Sequence, residues 1–250
     1  MATTAAKPTN APAARSGFRP SFHLVLVLIL CGFVFGGFAI TYFVPMAAGT
    51  RPPDSPIVHL HGFAWFSWML LLLVQAVLIN ARKVKWHRSL GMFGIAVATF
   101  AALMGIFIMF AAASTTQLPG VGPAVFWLNV TAPPSFALIF ALGIRAAKKP
   151  HIHRGLMLMA TISIIMPGMN RIYMQGLGIE HFTFIETYLT MDALLAAILW
   201  HEWRTMGTVS RLSWTGAAIV VVPQLLLYPV SSQPWWPEFI FWLGSLVEYH

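Results

Sequence analysis

The chain has 250 residues, of which 58% are hydrophobic and 9% are charged. Soluble domains carry about 25% charged residues, so this composition belongs to a membrane protein. The formal charge of +8 does not point to nucleic acid, because nearly all the basic residues sit in short turns between apolar runs.

Residues 1–20 are rich in Ala, Thr and Pro, carry Lys7, Arg15 and Arg19, and read as a disordered basic tail. The run Phe22–Met46 has no formal charge and is long enough to cross a hydrocarbon core of about 30 Å. It is too long for the apolar region of a secretory signal. It holds the single cysteine, Cys31, so an internal disulfide, a cysteine-ligated zinc site and an iron–sulfur cluster carried by this chain alone are excluded. Pro45, Pro52, Pro53 and Pro56 stop any helix from continuing.

A second helix is predicted over Ile57–Ala81, opened by His59-Leu60-His61-Gly62. The basic turn Arg82-Lys83-Val84-Lys85-Trp86-His87-Arg88 leads to a third over His87–Ala113. There Gly91, Gly94, Ala98, Ala101, Ala102 and Gly105 recur at helical spacing. Such a small-residue face lets another helix, or a flat cofactor, approach the backbone. The fourth helix, Ala124–Ala147, is expected to bend at Pro133-Pro134. A second basic turn follows, with Arg145, Lys148, Lys149, His151, His153 and Arg154. The fifth helix runs from about Ile152 to Arg171 with a kink near Pro167, and the sixth, Phe182–Trp203, contains Glu186 and Asp192. A third basic turn holds Arg204 and Arg211, and a seventh helix, Leu212–Val230, is interrupted by Pro223. Residues 232–250 pair tryptophans with an apolar face and read as an interfacial segment, not an eighth span.

The basic residues orient this arrangement. The tail and the three basic turns hold all of them except Arg51 and Arg171, which places the N-terminus in the cytoplasm. The expectation is an all-α integral membrane protein. Residues 21–231 form a seven-transmembrane-helix bundle in a bacterial cytoplasmic (inner) membrane, with the C-terminus outside and the lipid bilayer as its first partner.

Ionisable groups inside spans are costly and mark function by default. Asp192 falls near mid-membrane and shares a helix face with Tyr188 and His181. Asp192 and Tyr188 are therefore candidates for proton handling, set against the alternative that Asp192 is a neutral acid locking helix packing. Glu186 lies on another face, within reach of Arg171. His59 and His61 stand at one mouth of the second helix, and His61 shares a face with Trp65, Trp68, Leu72 and Gln75. With His181 and Glu186 they are candidates for a metal site, since imidazole suits copper, zinc and haem iron. Interfacial hydrogen bonding is the plainer role for each.

His87-Arg88 and His153-Arg154 each follow a lysine-rich turn and open an apolar helix, an echo of an internal repeat. Each imidazole can turn toward the bundle axis while its arginine holds lipid phosphate or a haem propionate. A histidine–arginine pair after a basic turn also serves as a surface anchor. His23 and His201 are further candidates on the same side. The methionines Met157, Met159, Met166, Met169 and Met174 offer soft ligands but share no face. There is no phosphate-binding glycine loop, no Ser or Cys nucleophile motif and no HExxH.

The stretch HLHGFAWFSWMLLLLVQAVLINARKVKWHRSLGMFG, residues 59–94, resembles a hairpin of uncharacterised bacterial polytopic membrane proteins. More distantly, it resembles the transmembrane cytochromes b that are reduced by ascorbate or quinol. That resemblance implies haem b held between histidines near the membrane surfaces, with His87 and His153 as the inner axial pair. For the outer pair, the place on the fourth helix that would answer His61 holds Trp127 and Asn129, so His181 would be drawn in.

The leading functional expectation is thus haem b electron transfer, with Arg88 and Arg154 on propionates and Asp192 and Tyr188 coupling protons to a quinone. The alternatives are a copper or zinc site built from His59, His61, His181 and Glu186, and a cofactor-free accessory subunit of a membrane complex.

Overall fold

The computed structural model describes residues 19–116, 120–179 and 183–246, and the secondary structure there is helical throughout. Most of the expected tail, residues 1–18, and the candidate ligand His181 lie outside the described residues. Among the described residues, five helices are long and apolar enough to cross a membrane, or six when one bent pair is taken as a single span.

The first runs Phe22–Phe38 (α1), passes through a π-helical turn at Ala39–Phe43, and ends as α2, Val44–Ala47. Ser21 caps it, its side chain accepting from the Leu24 N–H. The next is α3, Pro56–Asn80. It ends in a Schellman turn: the Arg82 N–H donates to the Ile79 carbonyl and the Lys83 N–H to the Leu78 carbonyl. Arg82 takes the left-handed conformation (φ 58°) normally given to glycine. The basic turn is therefore shorter than expected. Helix α4, Val84–Thr115, already includes Lys85 and Arg88 in its opening turns.

Helix α5, Gly122–Arg145, passes through Pro133 and Pro134 without interruption. The break falls in the next span. Helix α6 ends at Ile162, and α7, Met166–Arg171, continues through a π-helical turn at Ile172–Gly176, bent by 51° from α6. Pro167 explains it. Proline has no N–H and its ring clashes with the carbonyl four residues back, so the old helix stops and Pro167 serves in the first turn of the new one.

Helix α8, Phe184–Met206, is long enough to span but more polar, since it carries Glu186, Asp192, His201, Glu202 and Arg204. Helix α9, Arg211–Ser231, contains Pro223. That proline leaves the Ile219 carbonyl without its helical donor, and the Ser135 hydroxyl on α5 donates to it at 3.4 Å. The last helix, α10 (Trp235–Ser245), is too short to cross a bilayer. It packs Trp236, Ile240 and Leu243 beside Ala113 and Phe126, and the Trp236 indole donates to the Pro123 carbonyl at 2.9 Å.

Neighbouring helices pack on the small-residue stripe of α4. A Cβ on Gly94 would lie 3.1 Å from Leu71, and one on Gly105 would lie 2.7 Å from Pro133. The closest backbone approach is elsewhere. At Gly37 of α1 a Cβ would fall on the Gly168 carbonyl, and at Gly168 it would come within 2.8 Å of the Phe33 carbonyl oxygen and the Val34 Cα. Many large apolar side chains, among them Leu28, Phe63, Leu70, Phe93, Phe107, Leu189 and Leu225, face outward, as expected of a bundle solvated by lipid.

Gly168→Ala is expected to lower thermal stability in detergent by about 1–3 kcal/mol, because backbone atoms of α1 must move. Gly32→Ala, with nothing within 4 Å of its new Cβ, is expected to be neutral or slightly stabilising. Paired melting curves of the two variants check the crossing.

Candidate functional site

The bundle has two distinct ends. One gathers the basic turns: the Ser21 N–H donates to Asn80 Oδ1 at 2.8 Å, and the Phe22 ring stacks on His201 at 4.1 Å. At this end the two expected imidazoles meet. The His87 and His153 rings, from the first turns of α4 and α6, have centroids 6.4 Å apart and planes at 80°. His153 Nδ1 donates to the Gly143 carbonyl at 2.8 Å, which fixes the ring and leaves Nε2 for another partner. His87 Nδ1 is buried with no hydrogen-bond partner, and so is Oε1 of Gln75, one turn from the end of α3.

The two arginines separate. Arg88 is exposed beside His87. Arg154 turns instead to Pro150 and His151, donating to the Pro150 carbonyl at 3.1 Å and from its second nitrogen to His151 Nδ1 at 3.4 Å. It therefore belongs to a neighbouring group with His23 and His201, whose rings lie 5.0 Å apart. A small pocket there is lined by His23, His151, His201 and the buried Glu202. Glu202 is committed to structure, its Oε1 accepting from the Ser210 N–H at 2.9 Å.

At the opposite end the expected metal ligands do not converge. His59 is exposed and hydrogen-bonds the Tyr42 hydroxyl. His61 points the other way, its Nδ1 donating to the Met104 carbonyl at 3.4 Å. An i,i+2 pair diverges on a regular helix, and α3 is regular there. Glu186 does not meet Arg171. It closes a capping box with Thr183, accepting from the Thr183 N–H at 3.1 Å and hydroxyl at 2.7 Å. Among the described residues, no group of three or more His, Cys, Asp or Glu side chains could hold a metal ion. The ion pair at this end is Arg51–Asp54, at 2.7 Å, where the hydrogen bonds from Arg51 hold the Asp54 carboxyl below its ordinary pKa.

A cavity of about 310 Å³ opens in this half of the bundle, between α1, α3, α4, α5, α7, α8 and α9. His61, Trp65, Tyr188 and Gln224 line it, as do Asn129, Asn170 and Arg171, which the sequence reading had not singled out as a group. Below it Trp68 packs edge-on to Phe136 and donates to Thr161 Oγ1 at 3.2 Å. Tyr188 Oη, Gln224 Nε2 and Asp192 Oδ1 are buried without hydrogen-bond partners, and Asp192 faces the Gln224 side chain. Arg171 lies over the Phe38 ring at 4.2 Å and donates to the Pro167 carbonyl at 2.7 Å. Asn170 uses its oxygen to accept from the buried Thr187 hydroxyl at 2.6 Å. The signal for this cluster was a consecutive Asn-Arg directly after a proline break, polar residues where a span should be apolar.

Two hydroxyls one residue apart should then behave oppositely. Thr187→Val leaves Asn170 Oδ1 unpaired and is expected to cost about 1–3 kcal/mol. Tyr188→Phe removes an oxygen that bonds nothing and is expected to leave stability unchanged or raise it by about 1 kcal/mol. Thermal melts of both variants in one detergent decide which polar groups are structural.

No family model, no curated protein and no solved structure matches this chain, so the likeness to cytochromes b rests on the residues quoted for it and the functional reading rests on geometry.

Proposed function

We propose that the protein is a seven-span membrane haem b protein that carries electrons, in which His87 and His153 would hold the haem. The observation that carries this reading is the meeting of these two rings. Their centroids stand 6.4 Å apart, which leaves room for one metal ion between them, since an imidazole nitrogen binds a metal at about 2 Å. The anchored Nδ1 of His153 is the outer hydrogen bond that a ligating histidine ordinarily makes.

The number of ligands favours haem over bare copper or zinc. A non-haem ion needs three or four protein donors, whereas a porphyrin supplies four of its own and needs two. His87 and His153 come as a pair, and no larger set stands among the described residues. Bound there, haem would supply one-electron chemistry, and the chain's part would be to fix both rings and set their basicity. Arg88 remains available to a propionate, while Arg154 is held by the Pro150 carbonyl and His151. In the topology that goes with this reading, α8 is a sixth span and the basic end faces the cytoplasm of a bacterium.

Protein purified from haem-supplemented cells is expected to show a Soret band with iron at one per chain. Both should be lost in His87→Ala and in His153→Ala, while His59→Ala keeps them. A colourless protein, or stoichiometric zinc or copper without iron, would sink the proposal. A reporter fused after His250 is expected to behave as extracytoplasmic, and cytoplasmic activity there would break the span count.

A further inference from the structure

The cavity at the opposite end is independent of the histidine pair and has its own chemistry. Its walls are mainly apolar, with Trp65, Phe66 and Met69 among them. Its polar groups are uneven in kind. The Tyr188 hydroxyl and the Gln224 amide nitrogen are buried with no hydrogen-bond partner, as is the acceptor Asp192 Oδ1 beside Gln224, and one nitrogen of Arg171 is held by the Pro167 carbonyl. Asn170 has committed its acceptor to Thr187, which leaves its amide nitrogen to donate.

Arg171 decides the charge. Among the described residues no carboxylate pairs with it: Asp54 is taken by Arg51, Glu186 by Thr183, and Asp192 faces Gln224. The charge that acts on Arg171 is that of another cation, Arg51. A guanidinium that lines an apolar cavity without a counter-ion is expensive, and an anion entering that cavity would relieve the cost.

We propose that this cavity binds an amphiphilic carboxylate, with its head on Arg171 and Asn170 and its apolar chain running along Trp65 and Phe66. The volume of about 310 Å³ is room for about ten groups the size of a water molecule, at about 30 Å³ each. That is the heavy-atom count of an eight-carbon acid, and longer chains can project into the surrounding lipid. Planar carboxylate on a guanidinium fork is the strongest match for the donors present.

Radiolabelled octanoate serves as the probe, by equilibrium dialysis against the full chain in phosphatidylcholine nanodiscs, with empty discs subtracted. Saturable binding near one per chain is expected, displaced by decanoate but not by octanol. Arg171→Gln should weaken it by about tenfold or more, and Arg171→Lys by less. Ala132→Leu, which fills a cavity wall and keeps the charge, should also abolish it, so the outcome does not hang on one variant's folding. His87→Ala should leave it unchanged, which separates this site from the haem proposal. Equal binding by wild type and Arg171→Gln, or displacement by octanol as effective as by octanoate, would overturn the assignment. Saturable menadione binding without octanoate binding would also overturn it, in favour of a neutral carbonyl ligand.

Discussion

Pro167 cannot donate a backbone hydrogen bond, and in an apolar bundle the loss has to be absorbed within a few residues. The chain absorbs it by stopping α6 at Ile162 and starting again at Met166 with a 51° change of direction. Two consequences follow. Gly168 is driven onto the backbone of α1 at Phe33 and Val34, a contact that no side chain would permit. The turn after it brings Asn170 and Arg171 to the wall of a cavity, where a straight helix would have carried them in another direction. The tight crossing and the open cavity are products of the same break.

The buried polar groups separate by whether their bonds are made. Thr161, Thr187, Ser213 and Glu202 are buried and satisfied, each tying one element to another or closing a helix end. They explain packing and nothing more. Tyr188, Gln224, Asp192, Gln75 and His87 are buried with bonds unmade. Unmade bonds cost stability, so their persistence is the better guide to where a ligand belongs. Tyr188 and Gln224 line the cavity, with Asp192 beside Gln224, while Gln75 and His87 lie on α3 and α4 at the other end.

The histidine–arginine pairs could be read from the chain because both depend on local order: a lysine-rich turn, then a histidine in the first turn of an apolar helix. That pattern fixes depth and side, and two helices that share both can bring their rings together. The Arg154 expectation turned on rotation, which a turn motif does not encode; the Pro150 carbonyl and His151, one turn back on α6, set its direction. His59 and His61 failed for a reason already present in their spacing, since a regular α3 must send them apart. The basic turn was placed too long because a Schellman turn on Arg82, where glycine is usual, let α4 begin at Val84. The cavity was out of reach of sequence reasoning: it is made by seven helices, and neither its volume nor the want of a carboxylate paired with Arg171 among the described residues is a local property.

The placement of charge bears on how the two ends differ. At the basic end the cations stand in turns where water and lipid headgroups solvate them, so the exposed Arg82, Lys83, Lys148 and Lys149 need no protein partner. The opposite end has only two cations in the sequence, and the fold treats them differently. Arg51 lies in a loop and is matched by Asp54 three residues later, a local pairing that any solvated turn can make. Arg171 lies in a helix between Phe38 and the cavity, with a backbone carbonyl and an aromatic ring as its company. A ring face and one carbonyl offset only part of the cost of setting a partly buried guanidinium against apolar walls. Lysine would have reached the surface more easily by extending its stem, and a neutral residue would have packed at no electrostatic cost. An arginine kept in this position makes sense where a planar anionic group completes it, because the fork geometry then does what a point charge does not.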